Sequence, residues 1–339
     1  MGVLKHSYIF NDPRKLSDYT DEEIRNFIWY SSIELRPGVF TKSFFSAEDK
    51  VYPVSSIRHL LKNIDIKEGT KCLDFGTMNA LLPVLMAKRG GSVVTQESMA
   101  DYYGTVNLVQ EAYGTNFKYL YDKSLYDLRI ETPHEDLFDV VLFCGIFYHL
   151  INPIIELAIA RSFLRPGGLM LIETTSFLSR DNHIGFLKTP GSINHITIVL
   201  LEHLCRIFCL KPIDLVYLGK PDMRIAFVCR AVKKPALDIK IEKNKLDVYN
   251  LFGRLDFAKV KGRKIVERKM IWKENASEHF DAVNYDLSHS LNLMAEDEIY
   301  NSSALSKDRG ISLFNTIEKQ PLGQTFVKSK EILYLSDTC

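Results

Sequence analysis

Two adjacent residues stand out for the chemistry they could perform: Tyr148 and His149, at the end of the run F-D-V-V-L-F-C-G-I-F-Y-H. An imidazole titrates near neutrality and can take a proton from a hydroxyl, and a neighbouring phenol can orient or line a reacting group. Upstream, C-L-D-F-G places Asp74 and Gly76 where an apolar run turns directly into a helical pattern. Glu97 closes a second apolar run, V-V-T-Q-E, and Leu125, Tyr126 and Asp127 follow a third, F-K-Y-L-Y. Each of these polar groups falls where a strand ends, the place at which open α/β sheets bind ligands.

The elements that must position them alternate. Expected strands are K-C-L-D-F, S-V-V-T-Q, F-K-Y-L-Y, D-V-V-L-F-C and L-M-L-I-E. Between and after them, helices are predicted over Leu81–Lys88, Tyr103–Tyr113, Pro153–Phe163 and roughly Ile196–Phe208. A tight Pro-Gly-Gly turn should separate the third of these from its strand. This alternation predicts an α/β, Rossmann-like fold with a mostly parallel seven-stranded sheet and helices on both faces. Two late strands, Asp214–Leu218 and Arg224–Arg230, should form a closing antiparallel hairpin.

Three divisions follow: an N-terminal helical lid segment (1–66), a ligand-binding domain (67–234) and an accessory region (235–339). The first holds a helix over 18–30, opened by a Thr20–Glu23 capping box, and a second near Ser55–Asn63. The accessory region is more polar. Its basic stretch Phe257–Lys273 alternates around Ile265–Trp272 and reads as strands or a hairpin, with a solvated face outweighing a nucleic-acid contact.

In the first turn Thr77, Met78, Asn79 and Ala80 follow Gly76. A dinucleotide needs a glycine series there, because its pyrophosphate sits on the helix N-terminus. A phosphate-free cofactor gripped by its amino-acid end and its adenosine makes weaker demands, and S-adenosyl-L-methionine is such a cofactor. Asp74, Gly76 and Met78 then form its floor, with Cys144 at the end of the fourth strand. Glu97 suits the two ribose hydroxyls, or else a helix N-terminus, and Leu125, Tyr126 and Asp127 suit the adenine or form an ordinary loop.

Taken together, W-Y-S-S-I-E-L, C-L-D-F-G, V-V-T-Q-E, F-D-V-V-L-F-C-G-I-F-Y-H-L-I-N-P and L-R-P-G-G resemble the class I S-adenosylmethionine-dependent methyltransferases. Within that class they are most similar to the tRNA wobble-uridine methyltransferase/carboxymethyltransferase-like family, over about Phe27–Arg230. The resemblance rests on Trp29, Tyr30, Ile33 and Glu34, then Gly145, Tyr148, His149 and Pro153. It implies a Rossmann-like methyltransferase fold. It also implies that Arg224 matches an arginine near the extra carboxylate used by carboxymethyl-transferring members. The lysine those members carry before the domain has no counterpart here, which favours ordinary S-adenosylmethionine. The family's D-x-G-C-G-x-G is D-F-G-T-M-N-A here, so Met78 replaces a glycine and either narrows the methionine end of the pocket or shifts the loop.

Methyl transfer from a sulfonium is an in-line displacement that mainly needs a positioned acceptor and an outlet for one proton. His149 is the expected base, and Tyr148 orients the acceptor or lines the sulfonium methyl. Trp29 and Tyr30 are expected either as an aromatic lid over the pocket or as buried core aromatics. Asn194, ahead of the late helix, is a candidate substrate contact or a helix-entry residue, and Arg224 a candidate substrate contact or a strand-edge arginine.

Charge and composition narrow the partners. The 43 basic and 42 acidic residues nearly cancel, which argues against gripping nucleic acid with the whole surface. No apolar run approaches the ~20 residues of a membrane span. The N-terminus lacks the apolar core of a signal peptide. The six cysteines show no CxxC spacing and read as reduced core thiols of a cytoplasmic protein. Asp181 and His183 supply two metal ligands without a third, so no metal is expected.

The leading expectation is O-methylation of a small molecule or glycan precursor. Alternatives are tRNA modification and a non-catalytic member of the fold. The oligomeric state stays open, a homo-oligomer included.

Overall fold

A computed structural model of the chain describes residues 14–42, 53–98, 102–131, 137–150, 152–189, 192–218, 223–232, 310–319, 332–333 and 335–336. The basic stretch Phe257–Lys273 lies outside them, as does Cys339. In chain order the elements are α1 (Asp21–Asn26), β1 (Ser32–Arg36), β2 (Val39–Phe40), α2 (Pro53–Lys62), β3 (Lys71–Phe75), α3 (Leu81–Lys88) and β4 (Ser92–Glu97). There follow α4 (Tyr103–Tyr113), β5 (Lys118–Tyr121), α5 (Leu125–Glu131), β6 (Phe138–Cys144) and a 3-10 turn at Phe147–His149. Next come α6 (Pro153–Ser162), β7 (Leu164–Phe177), β8 (Ile184–Thr189), β9 (Ser192–Thr197) and α7 (Ile198–Ile207). The last are β10 (Leu210–Leu218), β11 (Arg224–Ala231), α8 (Leu313–Lys319) and β12 (Ile332–Leu333).

The main sheet runs β10-β11-β7-β6-β3-β4-β5, the expected seven strands, with the β8–β9 hairpin attached at the end of β7. Pairing is parallel from β5 through β7, and β11 is antiparallel to both β7 and β10. Central β6 is apolar on both faces, as a strand covered from both sides must be. Its Val141 and Phe143 pack into a core with Phe75, Phe163 and Phe227, while Val140, Leu142 and Cys144 face a second core with Val84, Leu85 and Val106. Trp29, Ile33, Leu60 and Leu61 belong to that second core, so the N-terminal segment is packed on the domain's own helices.

Local chemistry explains the element ends. The Thr20 hydroxyl accepts from Glu23 N at 3.2 Å while the Glu23 carboxylate accepts from Thr20 N at 2.7 Å, starting α1. Pro153 occupies the first turn of α6, where its missing N–H costs no helical bond.

Three expectations need correction. The helix over 18–30 ends at Asn26. The late helix starts at Ile198, because residues 192–197 pair with β7 and β8 as β9. The Pro-Gly-Gly turn is drawn into β7 as an irregularity, since Phe138 pairs with Leu164 but Val140 with Leu169.

The C-terminal residues dock in two places. Helix α8 packs on α7, and β12 pairs in parallel with Ser32 and Ile33 of β1. No helix among the described residues is long and apolar enough to cross a membrane.

Candidate active site

Strand order reverses between β3 and β6, and the crevice beyond their carboxyl ends is where such sheets take ligands. The loop after β3 is fastened to β4. Gly76 N and Thr77 N both donate to the Gln96 carbonyl, at 3.0 and 3.1 Å, and Met78 N donates to Glu97 Oε2 at 2.8 Å. Ala80 N donates to the Thr77 carbonyl at 2.9 Å. With these four amides engaged, the loop offers no cradle of the kind a pyrophosphate requires. On its other side the loop meets the one after β6: a Cβ on Gly76 would stand 2.7 Å from Ile146 Cγ2. Only glycine fits there, and its φ of +68° asks for glycine too.

Met78 and Ala80 both have left-handed φ values, +49° and +63°. The resemblance placed a glycine at Met78, and the chain keeps a glycine-like backbone while carrying a side chain on it. Such a conformation costs an L-residue about 1–2 kcal/mol.

Asp74 and Glu97 bring two carboxyl groups to this loop. Asp74 is buried, with Thr95 Oγ1 donating to its Oδ2 at 3.0 Å. Burial pushes the Asp74 carboxyl up to about 7; the Thr77 and Thr95 hydroxyls pull the other way, and the Glu97 charge adds to the rise. Glu97 is also buried and accepts from Ser98 N through Oε1 at 2.9 Å. Two carboxyls and no row of amide donors make a set suited to ribose hydroxyls and an ammonium, and unsuited to a phosphate.

Across the crevice the 3-10 turn presents Tyr148 and His149, whose rings lie 4.2 Å apart between centroids. Burial, reinforced by the nearby Arg224 charge, lowers the His149 pKa below its ordinary value, so the ring is neutral at pH 7 and able to accept a proton. Arg224, at the start of β11, grips the fully buried Glu173 of β7 through Nε–Oε1 at 2.6 Å and Nη2–Oε2 at 3.0 Å. Its Nη2 also donates to the Tyr148 hydroxyl at 3.2 Å, and its guanidinium lies 4.9 Å from that ring's centroid. Arg224 therefore faces the site already neutralised by a carboxylate.

The remaining candidates divide. Cys144 is buried at the end of β6, its thiol held protonated by burial and directed to the Leu171 carbonyl. Leu125 and Tyr126 open α5, with Leu125 buried and the Tyr126 hydroxyl donating to Glu156 at 3.0 Å. Asp127 caps the same helix: its carboxylate accepts from Ser124 N at 2.8 Å and Ser124 Oγ at 2.6 Å. Trp29 is fully buried, its indole N–H bound to the Ile24 carbonyl at 2.6 Å, so it packs in the core and does not fold over the crevice as a lid. Tyr30 does reach the loop, its N–H donating to Asn79 Oδ1 at 2.5 Å. Asn194 is buried behind the turn that carries Tyr148 and His149.

Two further residues hold the parts of the crevice together. Asn79 joins the loop to Tyr30, to the Ile28 carbonyl at 3.3 Å and to Thr105 Oγ1 at 2.7 Å. Glu173 ends L-M-L-I-E much as Asp74 interrupts C-L-D-F, and an acid closing a buried strand was the available signal.

Residues 49–209 match the family described as "Methyltransferase domain". Among curated proteins, the chain is 31% identical over 113 residues to a ubiquinone biosynthesis O-methyltransferase of Cereibacter sphaeroides. That match covers 32% of this chain and 42% of the relative, so the chain spans less than half the length of that protein. Among solved structures, the Burkholderia thailandensis 1,6-didemethyltoxoflavin-N1-methyltransferase is similar at 17% identity and a TM-score of 0.44, covering 56% of this chain and 81% of that one. The N-terminal domain of EvdMO1, solved with SAH and D-fucose, is similar at 15% identity and a TM-score of 0.46, covering 62% and 94%. Strand order and the matched residues agree on a Rossmann-like methyltransferase fold for the central domain.

Proposed function

We propose that the protein is an S-adenosylmethionine-dependent methyltransferase that methylates a hydroxyl of a small molecule or glycan precursor. The observation that carries this reading is the meeting of three strand ends: Met78 N on Glu97, and Gly76 against Ile146, three residues before His149. The cofactor supplies an activated methyl on sulfur. Glu97 would hold the ribose hydroxyls and Asp74 the ammonium end, with Met78 beside the methionine chain. His149, neutral at pH 7, removes the acceptor proton as the oxygen attacks, and Tyr148 lines the approach. The word O-methyltransferase in the curated relative's name supports oxygen as the acceptor atom.

The test is a mass-spectrometric screen for a gain of about 14 daltons, the CH₂ increment of methylation. Hydroxylated metabolites, nucleotide sugars and unmodified tRNA are offered with isotope-labelled cofactor. Label in a small molecule or sugar is the expected result. Label in tRNA alone would replace this acceptor class with the RNA-modifying one, and failure to bind S-adenosylhomocysteine by calorimetry would leave a non-catalytic fold.

A further inference from the structure

Asn194 is fully buried on β9, and its carboxamide faces the turn that carries Tyr148 and His149. Nδ2 donates to the Phe147 carbonyl at 3.1 Å and to the Leu150 carbonyl at 2.9 Å. These two carbonyls bracket the turn on either side. They also fix the amide's orientation, because a flipped group would set Oδ1 against two acceptors.

Oδ1 itself finds no hydrogen-bond partner among the described residues. A buried acceptor left unmet costs about 1–3 kcal/mol, so stability alone does not call for asparagine here. Strand β9 is a firm base for the clamp. It pairs with β8 through Phe186 opposite Asn194 and with β7 through Ser176 opposite Ile196, where Ser176 Oγ also donates to the Ile196 carbonyl at 2.8 Å.

We propose that Asn194 is a positioning residue: it sets where the His149 imidazole sits by pinning the turn at both ends, and it does not contact the acceptor molecule. The inference rests on the reading of His149 as the base. The groups that bear on this imidazole are the Tyr148 ring beside it and the Arg224 cation from β11, itself compensated by Glu173 of β7. His195, next to Asn194 on β9, feels the same cation.

The experiment is a histidine-labelled NMR titration of wild type, Asn194→Ala and Asn194→Ser, with S-adenosylhomocysteine affinity measured by calorimetry. In Asn194→Ala the loosened turn should admit water to His149 and raise its pKa by about half a unit toward the unperturbed value. Signals of His59, on α2, should stay in place and the affinity should change less than about threefold, roughly 0.6 kcal/mol. Serine keeps one donor and should give a smaller rise; it carries the test should the alanine variant not fold. An unmoved His149 titration overturns the proposal, as does a more than tenfold loss of affinity, which would make Asn194 a support of the whole pocket. A wild-type protein that does not bind S-adenosylhomocysteine overturns the methyl-transfer reading instead, and the titration still decides whether Asn194 holds His149.

Discussion

Arg224 and Glu173 form a two-pronged ion pair beneath the turn of Tyr148 and His149, with donor–acceptor distances of 2.6 and 3.0 Å and no exposure of the carboxylate. The charges sit on neighbouring strands, β11 and β7, and the pair's remaining reach goes to the Tyr148 hydroxyl. A guanidinium so engaged is a support for the turn more than a receptor for an incoming carboxylate.

The first prediction concerns that pair. Arg224→Met strands the Glu173 charge in the interior and should destabilise the protein by about 3–5 kcal/mol. Arg224→Met with Glu173→Met removes both charges and should recover most of that loss. Urea unfolding of the two variants measures it; equal losses would show that the charges are not coupled.

His149→Gln should retain S-adenosylhomocysteine binding while turnover falls by about 10²- to 10⁴-fold, the range of general-base catalysis. The pH dependence has a definite sign. Because burial and Arg224 lower the His149 pKa, the base form persists below the pH at which a free imidazole protonates. Activity should therefore hold at slightly acidic pH and fall only as pH drops through that lowered value. A rate profile whose acid limb lies above pH ~6.5, the unperturbed imidazole value, would assign the limb to another group.

Met78→Gly removes a side chain from a left-handed residue. Relief of about 1–2 kcal/mol outweighs the 0.5–1 kcal/mol of added chain entropy in the unfolded state. The variant should melt slightly higher and, with Met78 placed beside the methionine end as proposed, bind S-adenosylhomocysteine more tightly. Met78→Val, with a branched Cβ, should melt lower. Thermal melts and calorimetry read both, and a Met78→Gly that melts lower would mean that contacts of the methionine outweigh its strain.

Much of the fold was legible because its signals are local. F-D-V-V-L-F-C is apolar on both faces and became the central strand, and Thr20 with Glu23 announced α1. What escaped depends on distant partners. N-H-I-T-I-V-L-L reads as a helix entrance, yet its first residues become β9 only because the end of β7 is there to pair with them. The Arg224–Glu173 bond joins residues 51 apart, and the strand register brings them together. Trp29 reads equally as a lid or as a core aromatic in sequence, and only its N–H bond to the Ile24 carbonyl decides for the core. Asp127 carried a readable signal, since S-L-Y-D is a capping box that engages its carboxylate locally.

Asp74 should make cofactor binding release protons. Its carboxyl is raised to about 7, so at that pH much of the unliganded protein carries it protonated. An ammonium placed beside it favours the ionised form, and binding should expel a fraction of a proton near pH 7 and tighten as pH rises. In the unliganded protein the sign is the reverse: the folded state binds the proton more strongly than the unfolded chain, so stability falls as pH climbs from about 4 toward 7. Glu156, also raised to about 7 by burial, adds to that fall. Asp74→Asn should abolish the proton release and flatten part of the stability slope. Calorimetry in buffers of different ionisation enthalpy makes the measurement; unchanged proton release in the variant would move the linkage to another group.

Glu202 ties the C-terminal helix to the domain. Its Oε2 accepts from Leu313 N at 2.7 Å, Ser312 Oγ at 3.2 Å and Phe314 N at 3.4 Å, capping α8 from a different element. Its Oε1 pairs with Arg206 at 2.6 Å, and Arg206 in turn donates to the Ile311 carbonyl at 3.2 Å. Leu313 is fully buried under this arrangement, so the cap and the apolar contact act together. Glu202→Ala removes a charged acceptor from the helix N-terminus and leaves Arg206 without its carboxylate. Losses of about 1.5–3 kcal/mol are expected from the charged hydrogen bonds alone. Hydrogen exchange should locate the effect: amides of residues 313–319 exchange much faster while those of β3 and β6 hold. Uniform acceleration across the sheet would instead make the C-terminal helix part of the domain's global folding unit.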